Sequence, residues 1–442
     1  MHDQAPKHHR TLALCGTAST LAYAALAWQS HRTPAIWMLL GTLGIGWVAL
    51  LGAWRAAASL TGPQLLPRLW IFAIALRCAG LLAEPVFEDD HFRFLWDGRQ
   101  LALTGNPYDR APREYFTDAT LPDRFQRILG NINHPDVPTI YGPVCQFMFA
   151  LSYWIAPGEL WPLKALLIGA DLLVLGLLLR LVAARHALLY AWCPLIIHET
   201  AFNAHPEILG VAALVAGLWT LRQRHPAAGA LLCAVAVAAR IHAVLLVPFL
   251  LWPVRGRTLT AFVLGIAVLY APFWAQGSTA DLAGLRTLLG QWEFNSSLFG
   301  VTKELAGWAA AKGFCTALLV LGAAILFLRF THATAETIDP ATNRTVDFMT
   351  VVLALFLACS AVVNPWYLLW LPPLFALRPS LTLAVALAAV SLSYIHGGTI
   401  SIEGLAPYHH PKWLRPLEYG LILAVALFEN RKRLFPAKRQ AG

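Results

Sequence analysis

Three acids stand side by side at Glu88, Asp89 and Asp90, just after an apolar segment ends at Pro85. Adjacent carboxylates can take a proton from a nucleophile, or compensate the dipole at the start of a helix. Read as a helix from Glu88, the stretch EDDHFRFLWDGRQLALTGNPY puts Phe92, Leu95, Trp96 and Leu103 on one face. Asp89, Arg93 and Asp97 recur at four-residue spacing on another. The pattern predicts an amphipathic helix lying on a membrane surface with its acids toward water. On these residues alone a catalytic role competes with an ornamental one, in which the stripe is a row of solvated ion pairs.

Two further groups could do chemistry. HETAFNAHPE, residues 198–207, gathers His198, Glu199, His205 and Glu207, but the spacing fits no familiar ligand pattern, so no metal site is assigned. AARIHAVLLVP places Arg240 and His242 between two short apolar helices. A helix of about 15 residues rises only ~22 Å, which sets both side chains near the outer edge of the hydrocarbon. A cation at that depth needs a partner, and a lipid phosphate would serve, with snorkelling to water as the alternative.

The elements that must position these residues are membrane helices. Of the 442 residues 58% are hydrophobic and 13% charged, and the mean hydropathy is +0.57. Apolar runs of about 17–22 residues recur from end to end, so an all-α polytopic membrane protein is expected, with roughly 12–14 transmembrane helices. The net charge of +9 sits largely in short connectors and the tail RKRLFPAKR, a distribution that orients helices and touches lipid heads rather than nucleic acid. All seven cysteines lie in or at the start of apolar runs, without disulfide or metal spacing. No cleavage site follows the run Thr11–Gln29, which reads as the first span.

Spans are expected at 11–29, 35–54, 67–85, 161–182, 187–203, 206–221, 226–240, 241–253, 258–275, 313–330, 346–363, 366–377, 380–397 and 413–429. The run 143–156 is short and proline-bounded, so it reads as a second interfacial or re-entrant helix. The basic connectors place both ends inside and residues 86–160, 276–312 and 398–412 outside. The chain thus divides into three N-terminal spans (1–85), an acidic extracytoplasmic loop with interfacial helices (86–160), central spans (161–275), a second outer loop (276–312), and C-terminal spans with a basic tail (313–442). Arg93, Arg99, Arg110, Arg113, Arg124 and Arg127 fall outside against the usual charge bias, and phosphate binding would account for them.

The acidic stretch resembles the first outer loop of bacterial GT-C, mannosyltransferase-like proteins that use polyprenyl-phosphate sugars. Asp89, Asp90, Arg93, Trp96, Asp97, Gly98, Arg99, Gly105, Asn106, Pro107 and Tyr108 carry that resemblance. INHPDVPTIYGPVCQ continues it through Asn133, Pro135, Pro138, Thr139, Tyr141, Pro143 and Gln146, with Gly142 where relatives have a proline. That exchange is expected to loosen the lead-in to the second interfacial helix. WEFN (Trp292–Asn295) and NPWYLLWLPP (Asn364–Pro373) are similar to the family's later segments, and His205–Glu207 departs from a His–Asp pattern.

The resemblance implies an integral membrane hexosyltransferase of the inner membrane, working on its extracytoplasmic side. A sugar, mannose for preference, would pass from a polyprenyl-phosphate donor to a glycan or glycolipid acceptor by single displacement with inversion. Asp89 is the expected general base and Asp90 its orienter or a metal contact. Arg93, Arg99, Arg240 and His242 are expected at the donor phosphate, and Asn133, His134, Tyr141, His205, Glu207, Trp292, Asn295, Trp366 and Tyr367 at the substrates. No cofactor is required, and a divalent cation (Mg or Mn) is left open. The alternative is a transporter or flippase of lipid-linked sugars, which would ordinarily place polar residues at the midplane and show a repeat; neither is evident.

Overall fold

The computed structural model describes residues 5–277, 290, 292–333 and 343–434. Among these residues no strand forms, and the isolated β-bridge pairs Phe294 with Val362. Much of the second outer loop, the connection at 334–342 and the basic tail lie outside the described residues.

The first three helices are α1 (Ala5–Ser30), α2 (Ile36–Ala56) and α3 (Gly62–Leu81). The acidic loop holds α4 (Asp90–Thr104), α5 (Asp123–Gly130) and α6 (Pro143–Ile155). The centre is α7 (Trp161–Leu181), α8 (Ala184–Ala191), α9 (Glu207–Arg222), α10 (Pro226–Ala239) and α11 (Gly256–Trp274). Then come α12 (Leu298–Ala306), α13 (Trp308–Ala333), α14 (Asn343–Cys359), α15 (Leu371–Leu377), α16 (Leu381–Ala389) and α17 (Leu414–Leu434).

Among the described residues, six helices are long and apolar enough to cross a membrane: α1, α2, α3, α7, α11 and α13. Their outward side chains are bare hydrocarbon, as at Leu14, Val48 and Val268, the surface that lipid requires. The chain is an all-α polytopic membrane protein. Several expected crossings are not single helices, among them 380–397, where α16 gives way to a 3₁₀ turn at Val390–Tyr394. The run 187–203 is α8, a break, and one π-helical turn at Ile197–Phe202, while 241–253 and 366–377 each pair a 3₁₀ turn with a short helix. Pro194, Pro248 and Pro365 sit at these breaks, each lacking the amide hydrogen a continuing helix needs. One buried ion pair lies inside the bundle: Arg77 Nε donates to Asp171 Oδ2 at 2.6 Å, and Tyr190 Oη donates to Asp171 Oδ1 at 2.6 Å, tying α3, α7 and α8.

Helix α4 reverses the orientation expected of it. Arg93 and Asp97, expected toward water, are 9% and 1% exposed, whereas Leu103 is 57% exposed. The reason is that α6 covers the charged stripe. Gly98 lets the two helices meet, since a Cβ there would lie 2.4 Å from the carbonyl oxygen of Phe149. Trp96 turns to the opposite side and packs with Leu121, Phe125 and Ile128 of the loop's own small core. The expected loosening at Gly142 is also corrected. Gly142 abuts α10 so closely that a Cβ would stand 2.1 Å from the oxygen of Ala238, so the glycine tightens this joint.

Candidate active site

The helix expected from Glu88 begins at Asp90, because Glu88 serves as its cap. Glu88 Oε1 accepts the backbone N–H groups of Asp89 (3.1 Å) and Asp90 (3.2 Å), two donors that the first turn would otherwise leave open. Phe87, just before, holds φ at 58°, a left-handed value costly for an aromatic residue. The turn points the next two acids at different partners. Asp89 Oδ1 accepts Asn133 Nδ2 at 2.8 Å, and Asp90 Oδ2 accepts the Tyr141 hydroxyl at 3.1 Å.

Both acids line a cavity of about 610 Å³, together with Glu88, Arg93, Asn133, His134, Tyr141 and Arg240. Arg93 does not present a free guanidinium: it donates to the carbonyls of Val137 (3.0 Å), His134 (3.0 Å) and Asn133 (3.4 Å), fixing the loop that carries Asn133. Arg240 pairs with the buried Glu207 and lies 4.4 Å over the Tyr141 ring, while its Nε has no hydrogen-bond partner among the described residues. The far wall is aromatic. Trp292 stacks on His134 with centroids 4.1 Å apart, and Trp366, Tyr367 and Tyr408 complete it. Aromatic faces with a few convergent polar groups suit a sugar ring.

Other expected residues stand back from the cavity wall. His205 stacks 3.9 Å behind Trp366, and Glu207 reaches the wall through Arg240. Asn295 donates to Glu418 (3.1 Å), His242 is buried against Phe356 and Trp370, and Arg99 lies over Trp96 and Phe125. The segment 198–207 is buried throughout. Some of its polar groups find partners: Tyr394 Oη donates to Glu199 Oε1 (2.9 Å), and His205 Nδ1 lies 3.0 Å from Glu199 Oε2. Tyr394, His396 and Tyr408 were not legible as wall residues. They come from the end of the chain, and Tyr408 Oη meets Asn133 Nδ2 at 3.2 Å across 275 positions of sequence.

Crowded carboxylates in a desolvated place hold protons more tightly. Burial, then the charge of Asp90, pushes Asp89 up to about 6 against the hydrogen bond from Asn133. Burial raises Glu88 well above the carboxylate range, with Asp90 and Asp89 adding to it. His91 is driven down to about 3, chiefly by burial and then by Lys164, so it is neutral. The arrangement offers a carboxylate base, a guanidinium whose Nε is unpaired among the described residues, and an aromatic platform around one cavity.

Residues 12–256 match a family described as alpha-(1->6)-mannopyranosyltransferase, N-terminal domain, and this is more than half of the 442-residue chain. The chain belongs to this family. It is therefore a membrane glycosyltransferase of mannosyl-transfer type, an enzyme with a sugar donor and a glycan acceptor, not a transporter. No curated protein and no solved structure matches it. In this mannosyltransferase the matched part supplies the acids, Asn133, Tyr141 and Arg240, whereas Trp292, Trp366, Tyr367 and Tyr408 come from beyond it.

Proposed function

We propose that this mannosyltransferase moves mannose from a polyprenyl-phosphate donor to a hydroxyl of a glycan or glycolipid on the outer side of the inner membrane. Asp89 is the general base. The acceptor hydroxyl attacks the anomeric carbon and gives its proton to the Asp89 carboxylate. The bond from that carbon to the phosphate oxygen breaks, and polyprenyl phosphate leaves with the electron pair. A single displacement inverts the centre, so an α-linked product requires a β-linked donor. The observation that carries this reading is the pairing of Asp89 with Asn133 in the wall of a cavity that also holds Arg240. Arg240 is the contact for the leaving phosphate, since its Nε is without a partner and a guanidinium matches phosphate oxygens.

Residues 86–160 form the catalytic unit on this reading, set between the N-terminal and central spans. The outward orientation is supported by Arg180, Arg185, Arg222, Arg224, Arg255 and Arg257 in connectors of the opposite side. The test is transfer of labelled mannose from polyprenyl-phosphate mannose, in membranes with and without the protein, with the product's anomeric configuration read by NMR. Protein-dependent α-mannoside from the β-donor is expected. A β-mannoside would exclude single displacement, and no transfer from any polyprenyl-phosphate mannose would exclude the donor class.

A further inference from the structure

Beneath the cavity wall, three groups from two distant segments converge. One carboxylate oxygen each of Glu88 and Asp90 and one ring nitrogen of His205 all lie within 4.8 Å of one another. Ligands held tetrahedrally on a shared ion, each at ~2.0–2.2 Å, stand about 3.4 Å apart, so the three groups would close on one centre by side-chain movements of up to about an ångström. His205 is wholly buried, and its Nε2 has no hydrogen-bond partner among the described residues. An imidazole nitrogen closed off from water is costly to leave unpaired.

The surroundings of His205 argue for an ion rather than for a proton. Its Nδ1 faces Glu199 Oε2 at 3.0 Å, and Glu199 is itself held by the Tyr394 hydroxyl at 2.9 Å. Neither ring nitrogen makes a hydrogen bond among the described residues, and with the Nδ1 edge within ion-pair distance of Glu199 the Nε2 lone pair is the one open to a metal ion. A carboxylate behind a histidine is the arrangement that orients metal-binding imidazoles and makes them better donors. Trp366 stacks on the ring at 3.9 Å and fixes its plane. The local charge also calls for a cation. Glu88, Asp89, Asp90, Glu199 and Glu207 gather around the site, and Arg240 and Arg93 are its guanidiniums, one paired with Glu207 and the other turned to backbone carbonyls.

We propose that Glu88, Asp90 and His205 bind one divalent cation, with Glu199 as the positioning residue behind the histidine. Two carboxylates and one imidazole suit Mn²⁺ or Zn²⁺, and three protein ligands leave the remaining positions open toward the cavity. The ion's role rests on the transferase reading: it would add positive charge where the leaving phosphate gathers negative charge. Its binding does not rest on that reading.

The experiment titrates Mn²⁺ into the purified full-length protein in detergent, without substrate, and follows the loss of the free-ion signal by electron paramagnetic resonance. One Mn²⁺ per chain is expected, displaced by Zn²⁺. Asp90→Asn and His205→Gln should each weaken binding at least tenfold, and Glu199→Gln about ten- to a hundredfold. Asp118→Asn, in the same loop but remote from the site, should leave it unchanged. Should either ligand variant fail to elute as a monodisperse peak, Glu88→Gln takes its place, since the Glu88 side chain bonds only its own turn. Absence of stoichiometric binding overturns the proposal, and so does binding that Asp90→Asn or His205→Gln leaves unchanged. Failure of the transferase reading would show differently, as ion binding intact without mannose transfer.

Discussion

Asp89→Asn separates the base from everything else at the site. The asparagine keeps the Oδ1 that accepts Asn133 Nδ2 at 2.8 Å, so the loop carrying Asn133 remains in place. It removes one negative charge beside Asp90 and Glu88, where crowding already raises proton affinity, so stability should hold or rise slightly. What disappears is the only group at this position able to take the acceptor's proton. A positioned base contributes about 10²–10⁴ in rate, which is roughly 2.7–5.4 kcal/mol of barrier. The assay is single-turnover transfer of labelled mannose in proteoliposomes, at matched protein, with donor KM determined alongside. Turnover should fall by about two to four decades with donor KM little changed. Retention of more than about a tenth of wild-type turnover would refute Asp89 as the base. Loss in Asp90→Asn with retention in Asp89→Asn would move that role one residue along.

Four further outcomes follow from individual contacts. Asp97→Ala strips the acceptor from Gln146 Nε2 (3.1 Å) in the buried α4–α6 contact, which should lower stability by about 1–3 kcal/mol in thermal unfolding while folded enzyme keeps most of its turnover. Arg240→Ala leaves Glu207 buried without its partner, costing about 3–5 kcal/mol, and should raise donor KM far more than Arg113→Ala, whose ion pair with Asp136 is on the surface. Gly142→Ala forces a methyl group against the Ala238 oxygen, so a lower thermal midpoint and reduced turnover are expected together. Asp118→Cys should react with an impermeant thiol reagent added to the outer side of sealed membranes, and reaction from the cytoplasmic side alone would reverse the orientation and with it the side of catalysis.

What the sequence disclosed was whatever is local. The three acids, the membrane class and the four-residue rhythm of Asp89, Arg93 and Asp97 are all read from neighbours along the chain, and of these the all-α membrane class holds. Periodicity says which side chains share a face, but not what covers it. Arg93 and Asp97 pointed inward because α6, some fifty positions on, brings Gln146 to Asp97 and closes over the stripe through Gly98. The segment His198–Glu207 shows the same limit, since its spacing fits no ligand pattern and nothing in it tells what covers it. Such residues are seldom buried unless paired. Here the two glutamates are paired, with Tyr394 and Arg240 as partners that lie 195 and 33 positions away.

Contacts of the same long range explain why the acids can be crowded at all. Two chain segments reach the site through left-handed residues that are not glycine, Phe87 before Glu88 and Ala204 before His205. Each conformation costs of order 1–3 kcal/mol and survives only where the surroundings fix it. Asn203 supplies that fixing. Val86 N–H donates to Asn203 Oδ1 at 2.9 Å, which binds the two segments side by side, and Asn203 Nδ2 donates to Tyr394 Oη at 3.1 Å. Strain in the backbone and repulsion among the carboxylates therefore meet at one point, held by a neutral amide. An amide there adds no charge of its own. On the proposed reading it leaves Asp89 to the acceptor's proton and Glu88, Asp90 and His205 to a cation.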